Sequence, residues 1–434
     1  MTARITLLFI ALLLLLCHAP AWCQDAPKTV TLAEALALAT AQQPALHEAA
    51  ARTAGAQAAA ERSRAPRRLQ VRLDSRYSTT SEVPEITLPL IGQTIALGEK
   101  TNWINTLGAA QVLFSGGRLE GLARQAAGTA NAAEVTRQRI RQQVLFETTR
   151  AYYTLLAAQH DREVAAQTLA TAQEHLKTAQ ARLDARAAPR YDVLRAEVQV
   201  EEARQDAVRA DAGIAVAHAV LLRALGVADG RYVVADVDAP AVSDVPPIEQ
   251  LLPTAYAQRP ELQAIEWQIR AAEGAIQAAK GERRPTVSLA GEYQIASPET
   301  PLQLSRWTAA LVAGLPILDG GAARARLREA EALRAQYTAA RESLRNAIAA
   351  DVRMASARVQ SAREQYTVSQ KRLALADETL RIANVRYREG VGTPTEVADA
   401  QATLARARQG VTRAGTDWLL AQAEMNYALG KTEY

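Results

Sequence analysis

The sequence predicts a mostly α fold with a smaller set of two-faced β-strands, built from a duplicated helix–strand–strand–helix–helix unit. Three observations predict it. Landmarks recur in the two halves at a fixed offset, two pairs of segments alternate polar and apolar residues at strand period, and two very long stretches without proline carry heptad seams. A duplicated chain of this kind builds a quasi-symmetric ring, barrel or tube more readily than an off-centre cleft.

The duplication is read residue by residue. Trp103 matches Trp307, Leu107 matches Leu311, Gly116-Gly117 matches Gly320-Gly321, and Leu169 matches Leu373. Asp192 matches Glu396 and Leu225-Gly226 matches Leu429-Gly430, with no gap between these landmarks. Pro44, Leu46, Val71, Leu73 and Tyr77 recur as Pro260, Leu262, Val287, Leu289 and Tyr293 at a slightly larger offset, so the first copy carries extra residues between Tyr77 and Trp103.

Apolar residues make up 49% of the 434, yet aromatics only 5%. The balance is largely alanine, which favours helices that approach closely rather than a large aromatic-packed core. The formal charge of +4 comes from Arg interleaved with Glu and Asp along helical stretches. There is no basic block with aromatic platforms, so nucleic acid is not an expected partner.

At the N-terminus, Arg4 and the apolar run Ile5 to Leu16 read as a signal peptide over 1–23. Both cysteines, Cys17 and Cys23, lie inside it; lipidation at Cys23 is not expected, because bulky Trp22 precedes it. No later apolar run reaches the ~18 residues of a membrane-spanning helix, so a membrane crossing would have to use strands.

The first copy is placed at 24–226, a linker at 227–246 and the second copy at 247–434. A helix is expected from Thr31 to about Ser63, capped by Thr31 with Glu34 at N3, and its partner from about Pro247 to Lys280. Strands follow at about 67–79 and 102–114, and again at about 285–296 and 306–318. Val71, Leu73 and Tyr77 alternate with Gln70, Arg72, Asp74 and Arg76. Such two-faced strands suit a wall between lipid and a wet lumen, and equally a wall between core and solvent. Trp103 and Trp307 sit where each return strand begins, a position that fits an interfacial aromatic belt.

Long helices are expected at about 118–186 and 322–389, each roughly 100 Å at about 1.5 Å per residue, followed by helices at about 190–225 and 394–429. The seams Val193, Ala196, Val200, Ala203 and Val397, Ala400, Leu404, Ala407 step by threes and fours, the spacing of left-handed coiled coils. Each long helix is expected to pair with the next as an antiparallel hairpin.

No Walker loop, HExxH, Gly-x-Ser-x-Gly or cysteine-based metal pattern occurs, so neither an enzyme nor a cofactor is expected. The informative local feature is the turn between paired helices, Tyr387-Arg-Glu-Gly390-Val391-Gly392-Thr393-Pro394-Thr395-Glu396-Val397-Ala398-Asp399. Gly390 suits a helix C-terminus, and Thr393 with Pro394 a helix start. Glu396 and Asp399 share a face of the first turn, where they complement the helix dipole or form an acidic ring in a pore. The first copy supplies Pro189 and Asp192, with Arg186 in place of Gly390.

The repeat, this Gly-x-x-Thr-x-x-acid-Val turn and the Leu-Gly helix ends resemble the outer-membrane efflux protein family of TolC over nearly the whole mature chain. The resemblance implies a homotrimer, with four strands per chain in a shared twelve-stranded barrel and a long antiparallel coiled-coil α-barrel tunnel reaching into the periplasm. It implies an exit duct in the outer membrane of a Gram-negative-type bacterium. The duct would serve a tripartite efflux or type I secretion system with a periplasmic adaptor and an inner-membrane pump of RND, ABC or MFS type. Carried over by position, Glu396, Asp399 and Asp192 belong to the closed tunnel tip, and Tyr387 matches the aromatic residue that helps hold it shut. Gly390, Val391, Gly392 and Thr393 match the tip that meets the adaptor, and Gly392 stands where some relatives carry a basic latch residue. The rival reading is a soluble periplasmic coiled-coil adaptor or scaffold. Heptads alone allow that, but two-faced strands and paired tryptophans oppose it.

Overall fold

A computed structural model describes residues 28–89, 92–96, 100–187, 189–237, 245–298, 304–389 and 391–431. The expected signal peptide and Gly390 lie outside these residues, as does the side chain of Tyr387.

After a short strand β1 (Lys28–Val30) the expected first helix is two helices, α1 (Leu32–Gln42) and α2 (Pro44–Arg64). Thr31 and Glu34 form the capping box: the Thr31 N–H donates to the Glu34 carboxylate at 2.9 Å and the Glu34 N–H to Thr31 Oγ1 at 3.3 Å. The break comes at Gln43, whose extended backbone (ψ 116°) is what a residue before proline prefers. The second copy breaks identically at Arg259, giving α5 (Ile248–Gln258) and α6 (Pro260–Gly281). The polar side chain at each break caps a helix end elsewhere. Gln43 Nε2 donates to the Arg223 and Ala224 carbonyls, and Arg259 Nε to the Ala428 carbonyl.

Four strands, β2 (Gln70–Thr79), β5 (Thr101–Phe114), β7 (Thr286–Pro298) and β8 (Leu304–Gly314), form one antiparallel sheet in the order β2-β5-β7-β8. The extra residues of the first copy hold a small hairpin, β3 (Glu85–Leu88) with β4 (Gln93–Ala96). β8 stops at Gly314, short of the expected 318, and Pro316, which has no N–H to give a ladder, follows two residues on. Residues directly opposite share a sheet face. One face therefore carries Val71, Leu73 and Tyr77 opposite Ala109, Leu107 and Trp103, and Leu289 and Tyr293 opposite Leu311 and Trp307. The other carries Arg72, Asp74, Arg76, Thr106, Glu292, Gln294 and Arg306. The apolar face is exposed along its length.

Each sheet half turns into a long helix through two left-handed glycines, Gly116-Gly117 and Gly320-Gly321. The helices are α3 (Arg118–Asp184) and α4 (Arg190–Leu225), then α7 (Ala322–Arg388) and α8 (Pro394–Ala428). α3 packs on α4, and α7 on α8, as hairpins. Their seams bury Val193, Ala196 and Ala203, and Ala400, Leu404 and Ala407. The hairpins join through α3 against α8, and α6 lies between α3 and α7. α3 and α6 approach closely enough at Gly121 that a Cβ there would overlap the backbone of Ala278 and lie 2.7 Å from the Gly274 carbonyl.

Two equivalent cores sit where the linker crosses. Tyr152, Leu155, Leu221 and Leu225 pack in the first, and Ile348, Val352, Trp418 and Met425 in the second. The linker supplies β6 (Tyr232–Val234), which pairs in parallel with β1. His218 Nε2 accepts the Tyr232 N–H at 3.2 Å, and His160 lies 3.4 Å from Asp236. His160 is thus a largely buried contact of the linker.

Candidate functional site

The two hairpin tips are built by one rule. In the first copy the Ala187 N–H donates to the Arg182 carbonyl at 2.8 Å and the Arg186 N–H to the Leu183 carbonyl at 2.9 Å. This paired pattern is a Schellman end. Its left-handed residue is Arg186, at φ 55°, the one non-glycine among the described residues with positive φ. The second copy repeats the long bond in register, from the Val391 N–H to the Arg386 carbonyl at 3.0 Å. The next helix starts on Thr393, whose Oγ1 accepts the Glu396 N–H at 3.2 Å. Pro189 holds the corresponding N-cap in the first copy without a side-chain bond.

Arg386 ties the second tip together, a role that sequence reasoning missed. Its carbonyl accepts both the Val391 and Gly392 N–H groups, its Nη2 donates to the Val391 carbonyl at 3.4 Å, and its Nε lies 3.6 Å from Glu396 Oε2. The signal was available in the repeat, since Arg386 matches Arg182 as Glu396 matches Asp192. Glu396 therefore does not stand as a free carboxylate beside Asp399; it is half-exposed and paired across its own hairpin. Asp399 and Asp192 are exposed and have no ion pair among the described residues. Val391 projects into solvent, 68% exposed.

At the far end of the molecule the two tryptophans occupy equivalent places. Trp103 faces Tyr77 and Trp307 faces Tyr293, so each strand pair carries one aromatic couple on the apolar face. Trp103 Nε1 donates to Ser75 Oγ at 2.8 Å. Both rings are open, at 52% and 75% exposure. The structure thus separates the expected site residues into a helical tip and a sheet end, with the whole length of the long hairpins between.

Residues 35–227 and 251–431 match the model of the outer membrane efflux protein family, one matched stretch falling on each copy of the repeat. The chain belongs to this family. It is 27% identical over 401 residues to Protein CyaE of Bordetella pertussis, covering 91% of this chain and 82% of that protein. It is 26% identical over 348 residues to the probable efflux pump outer membrane protein TtgC of Pseudomonas putida, covering 78% and 71%. A membrane protein of Pseudomonas aeruginosa shares the fold with a TM-score of 0.77 at 22% identity, over 92% and 93% of the two chains. The open state of the Neisseria gonorrhoeae MtrE outer membrane channel does so with a TM-score of 0.73 at 20% identity, over 92% and 89%.

Membership places the protein in the bacterial outer membrane as an exit duct for efflux or secretion, which sets aside the soluble scaffold reading. Members of the family are trimeric channels that work with pumps and adaptors. No described helix is long and apolar enough to cross a membrane, and the two-faced sheet is the segment suited to lipid.

Proposed function

We propose that three copies of this chain close into a tube that is gated at its hairpin tips, and that the tips receive a periplasmic adaptor. One observation carries the closure: the chain ends at complementary open edges on every level. β2 and β8 are the outer strands, α2 and α7 the outer helices beside the sheet, and α4 and α7 the outer helices of the hairpins. Within the chain, first-copy elements pack against second-copy elements by one rule. The same rule applied outward sets α7 of one chain against α2 and α4 of the next. Apolar residues wait on both outer hairpin faces, Tyr191, Leu194 and Val198 on α4 and Val368, Leu375 and Ile382 on α7. Four strands cannot close a barrel alone; three such sheets can.

In this reading Trp103 and Trp307 anchor the barrel at the outer lipid interface, and Arg72, Asp74, Glu292 and Arg306 line its lumen. Tyr387, Glu396, Asp399 and Asp192 belong to the constriction, and Gly390 to Thr393 form the adaptor contact. Energy comes from an inner-membrane pump of the RND, ABC or MFS class. The relative TtgC, named a probable efflux pump outer membrane protein, supports efflux as the service role.

The test uses the absence of other cysteines beyond position 23. Val391→Cys places one thiol on each second-copy tip. Cross-linking the thiols in purified trimers should lower bilayer conductance, and reductant should restore it. Conductance indifferent to cross-linked tips would refute a gate at this place.

A further inference from the structure

Under the repeat, Asp399 is matched by Arg195. Each lies two residues past a seam valine, Val193 or Val397, and one before a buried seam alanine, Ala196 or Ala400. At about 100° per residue, each therefore sits about a quarter-turn or more off its own seam, on the same side. On α4 an exposed apolar stripe, Tyr191, Leu194 and Val198, runs down the back and one flank, and Arg195 borders it on the opposite flank. Whichever side of the wall this third face presents, Arg195 and Asp399 present to it together and at the same height above the tip. Both side chains are exposed, and neither has an ion-pair partner among the described residues.

The rest of the tip follows the same division. The first hairpin carries Arg182, Arg186, Arg190 and Arg195 against Asp184 and Asp192, and the second Arg386 and Arg388 against Glu389, Glu396 and Asp399. Glu396 is already countered by Arg386.

We propose that Arg195 is a selectivity-determining residue of the entrance, alternating with Asp399 around the ring so that the constriction is charge-balanced rather than acidic. This rests on the tip-gated duct reading and corrects its expected consequence. A purely acidic ring repels anions and concentrates cations. An alternating ring does neither, and it leaves the passage open to anionic and zwitterionic cargo. Neighbouring opposite charges also attract across hairpins, so low salt favours the closed tip.

The experiment measures the K⁺/Cl⁻ permeability ratio of purified trimers in neutral-lipid bilayers across a KCl gradient, near ~0.1 M so that screening stays moderate. The wild-type channel should discriminate weakly. Arg195→Gln should move the ratio toward K⁺ by about twofold or more, Asp399→Asn toward Cl⁻ by a similar factor, and Arg195→Lys should keep the wild-type value. Size-exclusion of each variant confirms that trimers are compared. A shift with Asp399→Asn but none with Arg195→Gln would overturn the role of Arg195 and leave an acidic ring standing. No shift with either would overturn both, because this face would then not line the passage.

Discussion

Arg259 offers the sharpest test of how the second copy is held together. Its side chain is 8% exposed. Nε donates to the Ala428 carbonyl at 2.9 Å, Nη2 to Asp351 Oδ2 at 3.1 Å, Nη1 lies 3.6 Å from Glu261 Oε1, and the guanidinium sits 5.6 Å from the Tyr427 ring centroid. A hydrogen bond from a charged donor contributes about 1.5–3 kcal/mol. Breaking a buried ion pair costs about 3–5 kcal/mol. That figure is reduced here, because Asp351 is 46% exposed and regains water when its partner leaves. Glu261, at 20% exposure and with Oε2 already buried and unpartnered, regains less. Arg259→Ala should therefore cost about 3 kcal/mol per protomer. The first copy performs the capping with the neutral Gln43, 3.1 and 2.9 Å from its two carbonyls. Arg259→Gln should accordingly keep the carbonyl bond, lose the ion pairs, and cost about 1–2 kcal/mol. Denaturation of detergent-solubilised protein followed by helical circular dichroism should rank wild type above Gln above Ala. If the Ala and Gln variants unfold together, or Ala behaves as wild type, the guanidinium is not the tie we describe.

Three further outcomes are expected. Arg186→Gly should stabilise by about 1 kcal/mol, since Arg186 holds a left-handed position suited to glycine; a loss of stability would mean that the side chain contributes more than its backbone strain costs. The Tyr152 hydroxyl donates to the Ala235 carbonyl at 2.8 Å, so Tyr152→Phe should cost about 1–2 kcal/mol. Burial, with Tyr153 beside it, pushes the Tyr152 phenol up to about 12 from an ordinary 10.0. The folded value lies above the unfolded one, so its stabilisation is complete below pH 10 and fades as pH rises toward 12; wild type and Tyr152→Phe should therefore converge in an alkaline unfolding titration. Gly121→Ala should separate α3 from α6 and cost about 2 kcal/mol or more, whereas at Gly55 a Cβ meets nothing within 4 Å and alanine should gain up to about 1 kcal/mol; equal melts for the two would show that the close approach at Gly121 is not required.

Much of this architecture was legible because it is periodic or local. Heptads placed α3, α4, α7 and α8 to within a few residues, since a seam of Ala with Val or Leu fixes both helix and partner face. The capping box at Thr31 and the Thr393 cap were readable because each is closed within four residues of chain. The breaks at Pro44 and Pro260 were present as matched prolines, yet one helix was expected across each. A proline at N1 starts a helix as readily as it interrupts one, and only the packing of α1 against α3 and α4, and of α2 against α3, decides between them. The Arg386–Glu396 tie escaped because it crosses a turn between two helices, where spacing along the chain says nothing about reach.

By itself, then, the sequence determined the duplication, the hairpins, the two-faced strands and the turn chemistry, all properties of residues near one another in the chain. The tertiary structure decided which elements keep one open side among the described residues: β2, α2 and α4 at one edge, β8 and α7 at the other. Sequence periodicity marks a face as apolar but not what covers it. Whether a stripe is a core or an edge depends on which surfaces the folded chain has already used.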